Sequence, residues 1–179
     1  MILGPKALLE LVKTQKLVEG LSERELSNPE GAGFDLRLGE VYKIVGEAFL
    51  GETERKTAEI ELVEEYKKGQ KRSVTIKPGE FYLTKTIETV NVPQNLTASV
   101  TPRSTTYRSG LVLRVGNVAP GYSGGLTFGL SNAGPISVTI EMGARFVHIQ
   151  FHEVSGGGSL YRGQWQGGRV TAKKKEVQV

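Results

Sequence analysis

The 179-residue chain contains no cysteine, so neither disulfides nor thiolate–metal centres hold it together. Histidine is nearly absent too: His148 and His152 are too few for a zinc site of the usual kind. Both stand in Arg145–Glu153 (RFVHIQFHE), whose alternation of apolar and polar residues reads as a strand, so the two imidazoles share one strand face. No apolar run approaches the ~18 residues of a membrane helix. The N-terminus lacks the charged-then-apolar layout of a secretory leader. A soluble, cytoplasmic protein without a membrane partner is expected. Charge of one sign is scarce as well: 23 basic against 19 acidic residues give +4, with three positive charges in Lys173-Lys174-Lys175. So mild an excess suits attraction of a polyanionic small molecule. Because the basic residues are not interleaved with clustered aromatics, no nucleic-acid partner is expected.

What the chain has in quantity is glycine, 23 residues, and short apolar runs separated by turns. Its length suits one domain, residues 1–179, with a full core. Gly4-Pro5 precedes Lys6–Val18, where Leu8, Leu11 and Val12, with Leu9 beside them, form an apolar stripe at helical spacing. A short helix therefore belongs in residues 1–20, and the polar, turn-rich stretch 20–33 reads as a loop. Gly33–Gly39 alternates sharply, sending Phe34, Leu36 and Leu38 to one face and Asp35 and Arg37 to the other. Residues 47–72 are charge-dense and read as an exposed excursion, a hairpin carrying Ile60 and Leu62, with no function attached. Apolar runs then recur at Val74–Ile76, Phe81–Thr86, Leu96–Val100, Leu111–Val115, Leu126–Leu130, Ile136–Ile140 and Phe146–Phe151. One helix followed by many short strands means a mainly β domain, a sandwich or barrel of jelly-roll type.

Two devices between Pro102 and Asn132 suit a nucleotide. Arg103-Ser104-Thr105-Thr106-Tyr107-Arg108-Ser109-Gly110 is a short helical turn that starts on hydroxyls and stops on glycine, with free N–H groups at its start. Arg103 and Arg108 add fork-shaped donors that match phosphate oxygens. Ala119-Pro120-Gly121-Tyr122-Ser123-Gly124-Gly125 is a glycine-rich turn where backbone can approach a flat ligand and a tyrosine ring can support a sugar or base. Each also has an ordinary reading, as a capped surface turn and as a plain hairpin. Residues 155–179 combine glycine hinges with Tyr161, Arg162, Gln164, Trp165 and Gln166, the mixture a ligand-covering flap needs. The alternative is a tail packed over a neighbouring subunit.

Five patches, taken in chain order, resemble one family. Gly31–Gly39 (GAGFDLRLG) resembles the first motif of the dUTPase and dCTP deaminase superfamily, and Arg103–Arg108 is similar to its phosphate-binding Arg-Ser-Ser motif. The Gly116–Asn132 hairpin looks like its base-recognition motif, Gly143–His148 like the strand that follows, and Tyr161–Gly167 like the tail of archaeal dUTPases. The resemblance implies a distorted jelly roll, a dUTPase-like β-barrel, assembled as a homotrimer with active sites between subunits. It implies a deoxypyrimidine triphosphate ligand, dUTP or alternatively dCTP, with Mg²⁺ held mainly by the phosphates and no metal ligand from protein side chains. Arg103, Ser104, Thr105 and Arg108 would then take the phosphates, Asn117, Pro120, Gly121 and Tyr122 the base and sugar, and the tail would close the site.

Two departures bear on the chemistry. Where deaminases of the family carry a proton-shuttling glutamate the chain has Gly129, and where dUTPases carry the water-activating aspartate it has Ala119. His148 stands where glutamine is frequent in the family. Asp35 is the remaining acid candidate, its ordinary role being a pair with an arginine of the sheet; Glu141, in an expected turn, and Glu153, at a strand end, have no such claim. The expected activity is dUTP cleavage to dUMP and pyrophosphate. The alternatives are a deoxynucleotide-binding relative without turnover, a dCTP deaminase, and a jelly roll with no nucleotide role.

Overall fold

A computed structural model describes residues 1–172 and 174–177, so Lys173 of the lysine run, Gln178 and Val179 lie outside the described residues. Helix α1 (Pro5–Gln15) begins on its proline and ends where Lys16 adopts a left-handed backbone, φ 53°. It stops short of the expected Val18 because Leu17 and Val18 turn into the core, both buried, while of the predicted stripe Leu8 alone is fully buried. The chain continues as β1 (Val18–Glu19) and α2 (Glu23–Ser27). The second helix corrects the reading of 20–33 as a loop. Its five residues are too few to show an apolar stripe, and the residue it buries is Glu25.

The remaining elements are β2 (Phe34–Val45), β3 (Phe49–Leu50), β4 (Glu54–Lys56), β5 (Glu59–Glu65), β6 (Ser73–Ile76), β7 (Phe81–Asn91), β8 (Leu96–Pro102), α3 (Ser104–Arg108), β9 (Leu111–Arg114), β10 (Ser123–Asn132), β11 (Val138–Glu141), β12 (Arg145–Glu153) and β13 (Glu176–Val177). The main sheet runs β8-β12-β2-β7-β10-β9. A bridge between Ala98 and Val118 brings the segment after β9 back onto β8, so the sheet nearly closes on itself. The domain is thus mainly β, a distorted jelly-roll barrel, as expected. Alternation drives it: on β7, Tyr82, Thr84, Thr86, Glu88 and Val90 face inward while their neighbours are half-exposed.

Two expected boundaries move. The strand read from Ile136 begins at Val138, leaving Ile136 exposed, and Glu141 ends β11 rather than sitting in the turn after it. The charged excursion also differs. Its β5 pairs with Glu40–Val45 of β2 and so extends the main sheet, while β3 and β4 form a small sheet whose third strand is β13 from the tail. Ile60 is half-buried and Leu62 exposed.

Candidate nucleotide site

Helix α3 is one turn, held on β12 by two bonds to the same carbonyl. The Arg103 N–H donates to Phe146 O at 3.0 Å and the buried Thr106 hydroxyl donates to it at 2.8 Å. Thr106 is therefore structural, whereas Ser104, Thr105 and Arg108 stand exposed on the turn. Arg103 precedes the helix with extended backbone, and its Nε lies 3.0 Å from Asp35 Oδ2.

Asp35 is the hub of a charge cluster. Arg145 Nη1 donates to its Oδ2 at 3.1 Å, His148 Nδ1 stands 3.0 Å from Oδ1, and its backbone N–H donates to buried Glu25 at 3.0 Å. Arg24 joins Glu25 and Asp35 from the solvent side. Burial works to raise the Asp35 carboxyl, but the His148 hydrogen bond and the charges of Arg103, His148 and Arg145 outweigh it, leaving the group below its ordinary value. The carboxylate stays ionised, with its lone pairs committed to two guanidiniums and the His148 imidazole. It fixes Arg103 beside the α3 turn, the sheet pairing expected of it. Alternation alone would have put Asp35 and Arg37 on a solvated face. The structure instead buries that face, Arg37 pairing with fully buried Glu88 at 2.6 Å, because β2 lies inside the sheet and α2 brings Glu25 onto it.

The glycine-rich hairpin lies elsewhere in the chain, under the tail. The tail's backbone and side chains take up its polar edge. Tyr161 N–H donates to Pro120 O at 2.7 Å and Gly167 N–H to Ser123 O at 2.7 Å. The Gln166 carboxamide donates from Nε2 to Gly121 O at 3.1 Å and accepts from Ser123 N–H at 3.3 Å. Gly124, at φ +146°, and Gly168 approach so closely that a Cβ on the first would strike the Gly168 backbone nitrogen. These glycines thus admit the chain's own tail to the hairpin. Tyr122 is buried, its hydroxyl donating to Gly125 O at 2.8 Å and its ring edge-on to Tyr161 at 5.4 Å. Burial, with Tyr161 adding to it, pushes the Tyr122 phenol up to about 12, so it remains a neutral donor.

Between these parts is a cavity of about 400 Å³. Asn117, Ala119 and Tyr122 form one wall, Leu126–Phe128 of β10 the floor, and Tyr161, Trp165 and Arg169 the roof. Thr57 and Ala58 of the excursion close the side. Among the described residues no carboxylate lines it. The Thr127 hydroxyl on its floor is buried without a hydrogen-bond partner, as is Gln164 Nε2, while Gln164 Oε1 accepts from Arg55. At position 129 on β10 a Cβ would lie 2.9 Å from the tip of the partly exposed Phe81 ring, which would have to turn aside.

The structure therefore gathers Asn117, Ala119, Tyr122, Tyr161 and Trp165 at one cavity, with Pro120, Gly121 and Gln166 in the contact beside it. Arg162 is exposed. Arg103 and Asp35 belong to the charge cluster, and Thr105 lines a different, smaller cavity. Within one chain none of Arg103, Ser104, Thr105 and Arg108 lines the cavity of Asn117, Ala119 and Tyr122. Sequence reasoning missed Thr127, Arg145, Glu25 and the excursion's Thr57. Arg145 and Thr127 stood inside quoted motifs; no local signal marks Glu25 or Thr57.

A near-closed β-barrel carrying a hydroxyl–arginine turn and a glycine-rich hairpin under a folded-back tail places the chain among the barrel-type β domains. A family model described as dCTP deaminase-like matches residues 2–154, and the chain belongs to that family. It is 32% identical over 160 residues to a dUMP-forming dCTP deaminase of Dictyoglomus thermophilum, covering 87% of this chain and 81% of that protein. It is 32% identical to a dCTP deaminase of Thermococcus kodakarensis (92% and 94% covered), and 31% identical to a probable deoxyuridine 5'-triphosphate nucleotidohydrolase of Methanothermobacter thermautotrophicus (79% and 89% covered). The fold matches the crystal structure of 2'-deoxycytidine 5'-triphosphate deaminase from Agrobacterium tumefaciens, with a TM-score of 0.64 at 20% identity over 84% of this chain; the match spans 47% of that longer chain.

Proposed function

We propose that the protein binds a deoxypyrimidine triphosphate and that its reaction is cleavage of dUTP to dUMP and pyrophosphate. The observation that carries the choice is Gly129 itself, which has no side chain to move a proton. Deamination must deliver a proton to an uncharged ring and expel ammonia, and glycine supplies no shuttle for it. Hydrolysis asks less of a side chain: water oxygen bonds to the α-phosphorus, the bond from that phosphorus to the bridging oxygen breaks, and pyrophosphate leaves with the electron pair. Arg103, Ser104, Thr105 and Arg108 supply donors to the phosphate oxygens, and such preorganised donors stabilise developing charge without a base. This donor set of guanidiniums and hydroxyls suits phosphate rather than a bare dication, so Mg²⁺ fits here as a companion of the triphosphate, supplying charge neutralisation when bound.

Because none of the α3 donors lines the cavity of Asn117, Ala119 and Tyr122, a complete site calls for two copies, and a homotrimer is the assembly proposed. Thr127 would then give its unpaired hydroxyl to the base or deoxyribose. A second reading, binding without turnover, is favoured by the acid-free cavity, since a missing general base removes roughly 10²–10⁴-fold in rate. The test is pyrophosphate release from dUTP with Mg²⁺, run beside ammonia release from dCTP. Pyrophosphate from the unmodified chain supports the hydrolase. Calorimetric binding of dUTP without turnover, followed by turnover in Ala119→Asp, establishes the binding protein instead. Ammonia from dCTP would overturn both.

A further inference from the structure

We propose that Thr57 is a positioning residue for ligand binding: its hydroxyl latches the tail to the excursion, and this latch holds the roof closed over the cavity. The inference rests on the reading that the cavity takes the base and sugar of a deoxypyrimidine nucleotide. The latch is a relay of three hydrogen bonds whose directions are set by its ends. The Ala172 backbone N–H only donates, and it does so to Thr57 Oγ1 at 2.7 Å. The Ala58 carbonyl only accepts, and it does so from Thr171 Oγ1 at 2.5 Å. The 2.9 Å link between the two hydroxyls therefore runs from Thr57 to Thr171, because the Thr171 proton is already committed to Ala58. Ala172 is buried, so loss of the Thr57 hydroxyl leaves its N–H without a partner and without water.

The latch sits at the cavity itself. Thr57 and Ala58 line it together with Arg169 and Val170, the two residues that precede Thr171, so side wall and roof meet at these bonds. The roof's other end is fixed on the hairpin, where the Tyr161 N–H donates to Pro120 O at 2.7 Å and the ring stands edge-on to Tyr122. Arg55 of the excursion adds a stay between the ends, its Nε donating to Gln164 Oε1. Beyond the latch, β13 pairs with β4. Trp165, Arg169 and Val170 are thus ordered over the cavity before any ligand arrives, which spares binding the cost of arranging them. With the latch cut, the Tyr161 end stays in place while the far end of the roof loosens, and ligand must then close it. The excursion, which local sequence leaves without a role, is the anchor of the cover.

Calorimetric titration of the full chain with α,β-imido-dUTP and Mg²⁺ tests this on Thr57→Val and Thr57→Ser. Valine keeps the shape and removes the hydroxyl; serine keeps the hydroxyl. Trp165, the single tryptophan, reports the roof. In Thr57→Val its emission is expected to shift to the red without ligand and to return toward the blue with it. Affinity is expected to fall roughly five- to thirtyfold, the equivalent of about one or two net hydrogen bonds lost from the closed state. Thr57→Ser should match the unmodified chain in both readings. Should Thr57→Val fail to fold, Thr171→Val opens the same relay from the tail side with the same expectation. Affinity unchanged in the valine variant overturns the inference whether or not Trp165 moves, and so does a loss that serine does not restore. Either result leaves nucleotide binding intact. Absence of binding by the unmodified chain overturns the functional reading and the inference together.

Discussion

Asp35 and Thr127 show how single residues divide between support and function. Asp35 holds Arg103, Arg145 and His148, and replacing it with asparagine leaves two guanidiniums and an imidazole against a poor acceptor. Asp35→Asn should lower stability to urea at pH 7 by about 2–4 kcal/mol, in the range for breaking a buried ion pair. Its carboxyl is held below the ordinary 3.8, so its contribution is complete above that value and is lost as pH falls through the lower folded one. The gap between variant and unmodified chain should therefore close as pH falls below the ordinary carboxylate range in paired denaturation curves. Thr127→Val behaves oppositely. It removes a buried hydroxyl that has no partner, so stability should hold or rise by about 0.5–1 kcal/mol while calorimetric affinity for a deoxypyrimidine triphosphate falls several-fold. Gly129→Glu should cost about 1–3 kcal/mol against the Phe81 ring, and Phe81→Ala should recover most of it in a double-mutant cycle on thermal unfolding. At this scale the sequence was legible where chemistry is local. Glycine at 129 and alanine at 119 state what those positions cannot do, but the partners of Asp35 come from α2, the residue capping α3 and β12 and follow from no nearby residue.

Among the elements, the tail and the excursion form one device. Thr57 bonds the tail at Thr171 and Ala172, and β13 completes a sheet with β4 and β3. Truncation after Ala172 should leave the barrel's melting intact but speed hydrogen exchange at Phe49–Lys56, because a two-strand remnant is marginal alone. Gly124→Ala should free the tail from the other end. A methyl group would strike the Gly168 backbone, and φ +146° disfavours any side chain there. Limited proteolysis should then cut within residues 155–168 several times faster, with the core digest unchanged. The strands of the barrel were readable from alternation because one face of each packs inward. The small helix α2 and the three-strand sheet were not, since five-residue and two-residue elements carry no period and exist through contacts made elsewhere in the chain.

For the molecule as a whole, the base-type cavity and the α3 turn are distinct places on one barrel, which is why the proposed reaction requires copies to meet. Sedimentation equilibrium should report three chain masses, and a monomer would remove the basis for a shared site. By itself the sequence determined the β class, the order of the motifs and the two missing acids, because periodicity, turn residues and side-chain identity are properties of short stretches. Tertiary structure alone decided that Asp35 is an anchor rather than a free base, that the excursion moors the tail, and that Gln166 rests on the hairpin edge. Each of these depends on contacts between segments tens to more than a hundred residues apart, and such distances close only when the sheet does.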